Sequence, residues 1–113
     1  MKGKDALPKV RQFVERQGWI LSGAITDANS SYSRSSGETH QELKFFIPRQ
    51  DVDSVVEVMH CQFVGRRGID FHGDPWRWSK DEKGAELWYY VNDGTDFVRV
   101  HDDGSVRWFY NRM

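Results

Sequence analysis

The sequence predicts an α+β fold, with two short helices packed on one face of a mainly antiparallel sheet that ends in a three-stranded meander. Three observations predict it. Residues 86–110 run in the period of β-strands and are broken twice by Asp-Gly pairs, Asp93-Gly94 and Asp103-Gly104, which close tight hairpins because both residue types tolerate positive φ. Residues 5–17 and about 51–60 carry apolar side chains at helical spacing instead. The order of elements is helix, two strands, helix, then four or five strands. The alternative is a sheet curled into a partial barrel by residues 61–79, whose Phe63, Phe71, Trp76 and Trp78 would cover its second face.

In chain order, Asp5 is positioned to cap the first helix, Pro8 falls in its first turn and Gly18 stops it. Leu7, Val10, Phe13 and Val14 form its apolar stripe. A strand is expected from Trp19 to about Thr26, and the serine-rich stretch 27–37 reads as a mobile loop with almost nothing to bury. A second strand over Thr39–Ile47 puts Gln41, Leu43, Phe45 and Ile47 on one face and His40, Glu42, Lys44 and Phe46 on the other. Asp51 or Asp53 then caps a helix through about His60, with a strand over Val55–Val64 as the alternative because of its β-branched residues. Gln62–His72 is expected to be extended, interrupted at Gly65-Arg66-Arg67-Gly68, and Trp76-Arg77-Trp78 to open the strand before the turn at residues 80–84.

If each Asp-Gly pair forms a two-residue turn, the meander register follows. Tyr90 opposes Phe97, Trp88 opposes Arg99 and Glu86 opposes His101; across the second turn Arg99 opposes Trp108 and Phe97 opposes Tyr110. One face then carries Leu87, Tyr89, Val91, Val98, Val100 and Phe109, with Arg107 among them. The other carries Trp88, Tyr90, Phe97, Arg99, His101, Trp108 and Tyr110. The first reads as core, the second as the place for function.

Composition bounds that function. The 113 residues suit a single domain over 1–113, and 38% hydrophobic with 29% charged residues is the balance of a soluble globular chain. A net charge of −1 divides into +3 over residues 1–50 and −4 over 51–113, so neither half is basic enough to predict a general affinity for nucleic acid, which stays a second class of partner. No apolar run is long enough to span a membrane, the N-terminus lacks a signal core, and lone Cys61 fits a reduced cytoplasmic setting. No cofactor is expected. His60, Cys61, Asp70, His72 and Asp74 are ligand types, but their spacing fits no zinc pattern.

Two readings of function remain. In the first, the chain is a non-catalytic module that binds a macromolecule through Trp88, Tyr90, Phe97, Arg99, Trp108 and Tyr110, helped by Arg66 and Arg67 on a glycine-flanked loop. The acidic C-terminal half favours a protein partner, or a second copy of the chain, over nucleic acid. Small inhibitors and adaptors encoded by phages and mobile elements are of this kind. In the second, Glu86 orients His101 for acid–base work while Arg99 holds a phosphate, giving a metal-independent ribonuclease. The ordinary counterpart of that site is a cross-strand charge pair.

Residues 13–21, Phe-Val-Glu-Arg-Gln-Gly-Trp-Ile-Leu, followed by Thr39-His40-Gln41-Glu42-Leu43-Lys44-Phe45, resemble the opening of HicA-type mRNA interferases. The resemblance covers about a third of the chain and implies RNA cleavage with His40 at the catalytic position. It departs where Gly37-Glu38-Thr39-His40 replaces the glycine-serine-histidine step, and the meander has no counterpart in that family.

Overall fold

The computed structural model describes residues 5–66, 76–91 and 94–112. Helix α1 (Leu7–Gln17) and helix α2 (Val52–Arg66) pack on one face of a six-stranded antiparallel sheet that does not close among the described residues. Its strands are β1 (Thr26–Ser35), β2 (Glu38–Phe46), β3 (Arg77–Asp81), β4 (Gly84–Val91), β5 (Gly94–His101) and β6 (Ser105–Arg112), in the spatial order β1-β2-β6-β5-β4-β3.

Helix α1 follows its apolar stripe, with Val10, Phe13 and Val14 buried. Its N-cap is Ala6, without a side-chain hydrogen bond, so Asp5 does not cap it. Its end is a Schellman closure: Gly18 at φ 75° donates to the Glu15 carbonyl at 3.1 Å and Trp19 N–H to that of Val14 at 3.2 Å. This turn brings Trp19 back against Phe13, ring centroids 5.4 Å apart. Phe13 also meets Phe45 at 6.1 Å and Trp108 at 5.2 Å, and is the hub of the core.

Residues 19–25 form no strand, contrary to expectation, and the serine-rich stretch does. β1 pairs with β2 from Asn29↔Lys44 to Ser35↔Glu38 around a turn in which Ser36 and Gly37 both have positive φ, 51° and 81°. An edge strand needs a backbone partner more than it needs apolar side chains. Only Ala28 and Ser30 are buried in β1, so hydrophobic patterning could not reveal it.

Asp51 lies in a short 3₁₀ turn, Arg49–Asp51, and its Oδ2 accepts from Ser22 N at 2.9 Å and Ser22 Oγ at 3.1 Å. It pins the 19–25 segment rather than capping α2 with its side chain. The helical reading of this region holds, and the helix runs on to Arg66 where an extended segment was expected from Gln62. Val52, Val55, Val56 and Met59 are buried, and burial of this stripe outweighs the weak helix propensity of its valines. Trp76, Trp78 and Phe63 join the core on the helix side. They do not cover the opposite face; Phe71 lies outside the described residues.

Both meander registers differ from the expected ones. β4 ends at Val91 and β5 begins at Gly94, with Val91↔Gly94 and Trp88↔Phe97; Asp93 of the expected turn lies outside the described residues. Each partner moves by two positions, so the faces of β4 and β5 stand as expected. The β5–β6 loop has three residues, Asp102-Asp103-Gly104, with Gly104 at φ 94°. That odd count reverses β6. Val98↔Trp108 and Val100↔Val106 now share the core face, whereas Phe97↔Phe109 and Arg99↔Arg107 share the open one.

Candidate functional site

On the face opposite α1 and α2 the register lines side chains into rows that cross the sheet, and three of them matter here. One row is Arg77, Trp88, Phe97, Phe109, Glu42 and Ser31. The second is Ser79, Glu86, Arg99, Arg107, Lys44 and Asn29. The third runs from Thr95 through Asn111 and His40 to Ser33. An aromatic strip thus lies between a charged row and a polar one.

In the aromatic strip Phe97 sits 4.5 Å from Trp88 and 4.8 Å from Phe109, and its neighbours leave it only 6% exposed. Trp88 and Phe109 are half-buried and form the accessible part of the cluster. The Arg107 guanidinium lies 5.1 Å above the Phe109 ring, a cation–π contact.

The charged row opposes Arg99 to Arg107, which repel across adjacent strands. Carboxylates offset this. Arg99 reaches Asp81 at 3.2 Å and Glu86 at 3.5 Å, and Glu42 takes Arg107 Nε at 2.9 Å and Lys44 at 3.4 Å. The Lys83 backbone N–H and the Arg99 guanidinium hold the Asp81 carboxyl below the ordinary 3.8. Arg99 is thereby engaged as a structural cation.

The expected Glu86–His101 opposition is not formed. Glu86 opposes Arg99, and His101 opposes Gly84. His101 lies instead beside the β5–β6 turn, where Asp103 is held below its ordinary value, first by the Ser105 N–H and in smaller part by the imidazole. The acid–base dyad of the ribonuclease reading therefore lacks the cross-strand geometry on which it rested.

His40 fares differently. It lines an open groove of about 320 Å³ with Ser31, Ser33, Glu42, Arg107, Phe109 and Asn111, among others. His40 Nε2 lies 3.2 Å from Glu38 Oε2, and Nδ1 meets the Asn111 side-chain oxygen. The groove presents hydroxyls, an amide, an imidazole, a carboxylate and a guanidinium beside the Phe109 ring. It suits a polar group tethered to something apolar.

Trp108 and Tyr110, expected on this face, lie on the other. Trp108 is buried against Phe13 and 5.0 Å from Tyr110, whose ring lies beneath the Arg112 guanidinium. Arg112 binds Asp96 at 2.8 Å, and burial with the Asp96 carboxylate pushes the Tyr89 phenol well above its usual range. This network lies on the helix side of the sheet. The Tyr90 and Arg66 side chains, and all of Arg67, lie outside the described residues. Among the described residues no cluster of His, Cys, Asp and Glu could hold a metal ion. His60 packs 5.2 Å from Trp78, and Cys61 is exposed on α2.

Phe109, Asn111, Glu42 and Arg107 are the members of this face that sequence reasoning missed. A signal existed: the expected register left Arg107 on an apolar face, and a misplaced charge is what a one-residue slip produces. Neither family models, curated proteins nor solved structures give a match to this chain.

Proposed function

We propose that this chain is a non-catalytic binding module that engages a protein partner through the helix-free face of its sheet, as an inhibitor or adaptor. The observation that carries the proposal is the strip Trp88–Phe97–Phe109 on a sheet face that is polar apart from this strip and Phe46 and that no described residue covers. Antiparallel sheets commonly leave one face to water, and such a face is normally polar. Aromatic rings with arginine beside them are the groups that dominate binding hot spots.

Charge balance favours protein over nucleic acid. Arg99, Arg107 and Lys44 are matched by Asp81, Glu86 and Glu42, so the row offers a polyanion little net positive field. A protein surface bringing one apolar side chain to Trp88 and Phe109, with polar groups around it, meets this face without leaving charges unpaired. The groove beside His40 takes the polar part of that contact.

The test compares immobilised wild-type chain with Phe109→Glu, and with Arg11→Glu on the exposed side of α1, in a lysate of the organism that encodes it. A protein retained by the wild type and by Arg11→Glu, lost with Phe109→Glu, and forming a complex of defined mass once purified is the expected result. Retention indifferent to Phe109→Glu overturns the reading. So does tight, salt-dependent binding or cleavage of single-stranded RNA, which would return attention to His40.

A further inference from the structure

We propose that β1 is a self-pairing edge, through which two copies of this chain join β1 to β1 antiparallel about Ser33 and continue their sheets into one. This pairing does not use the aromatic face. The two edges of the same sheet differ. β3, at one edge, has five residues and carries Arg77, Lys80 and Asp81, the shortness and charge that ordinarily keep edges apart. β1, at the other, has ten residues. From Asn29 to Ser35 it is regularly paired with β2 and carries a single charge, Arg34, with no proline, glycine or lysine. The irregularity between Thr26 and Asn29 falls at its far end.

The Ser36-Gly37 turn makes Ser35 and Glu38 the pair that exchanges both hydrogen bonds. Bonding alternates from there, so Ser33 and Ser31 also face β2, and the backbone N–H and C=O groups of Tyr32 and Arg34 point away from the sheet. Residues 31–35 are all exposed, Tyr32 at 59%.

A second copy fits this edge because the edge is self-complementary. With Ser33 opposite Ser33, Tyr32 opposes Arg34 of the other copy and Arg34 opposes Tyr32, as a two-fold axis requires. Each pair exchanges backbone hydrogen bonds, and each places a guanidinium beside a phenol ring on the same face. On the opposite face only serines meet. Centring on Arg34 would set two like charges against each other. Pairing β1 with β3 would be heterologous and would not close. Five paired residues per copy make a small interface, so association is weak and concentration-dependent.

Sedimentation of the whole chain over a concentration range reaching the millimolar tests this. The mass is expected to rise from 13.3 kDa to twice that value and stop. Hydrogen exchange at the Tyr32 and Arg34 amides is expected to slow at least tenfold with it. Tyr32→Lys, which places a lysine opposite Arg34, should hold the chain at the monomer mass while its circular dichroism stays unchanged. Adding Arg34→Glu should restore the dimer. A chain monomeric throughout, a mass that grows past the dimer, or a dimer indifferent to Tyr32→Lys overturns the proposal. A dimer lost with Phe109→Glu instead would place self-association on the aromatic face.

Discussion

Replacing Trp108 and Phe109 separately by alanine measures which face of β6 is core. Trp108 is 8% exposed and packs on Phe13 and Tyr110, whereas Phe109 is half-buried on the open face against Phe97 and Trp88. Truncating a buried tryptophan costs about 3–5 kcal/mol, through lost transfer free energy and the cavity left around Phe13. Phe109 keeps water on one side and leaves no closed cavity, so partial burial puts its loss at about 1 kcal/mol. A chain of this size has a total stability of roughly 6–17 kcal/mol, so the first change is a large fraction of it. Urea unfolding followed by circular dichroism reads the difference. With a slope of about 2 kcal/mol/M, the midpoint should fall by roughly 2 M for Trp108→Ala and roughly 0.5 M for Phe109→Ala. Equal shifts, or a larger one for Phe109→Ala, would refute the three-residue turn and return Trp108 and Tyr110 to the open face.

Two further outcomes follow from the same geometry. Gly104→Ala should destabilise the chain by about 1–3 kcal/mol in the same assay, because φ at this position is 94° and an added Cβ meets the Ile47 carbonyl oxygen. The Tyr89 phenol, held neutral by burial and by Asp96, favours the folded chain fully below the ordinary tyrosine value of 10.0, and that contribution is lost as pH rises above it. An ultraviolet titration should therefore show a phenolate that appears only with alkaline unfolding and is missing in Tyr89→Phe.

By itself the sequence determined the elements whose signal is local. The Gly18 stop, the stripe Val10–Phe13–Val14 and the alternation of Leu43 and Phe45 needed no neighbours to be read, because periodicity and backbone freedom are properties of the segment. The faces of β4 and β5 were legible for a subtler reason. The observed β4–β5 register differs from the expected one by two positions at each partner, and a period of two hides the shift. Tertiary structure alone decided the rest. Gly104 adds a third residue to its turn, which reverses β6, sends Trp108 and Tyr110 to the core and brings Phe109 and Arg107 to the open face. β1 exists because β2 offers a ladder to a serine-rich segment that has no apolar pattern of its own. His40 and Asn111, seventy-one positions apart, share a groove only because β2 lies beside β6. Which side chains meet depends on the parity of turns and the order of strands, and those are settled when the faces of the sheet compete for the same core.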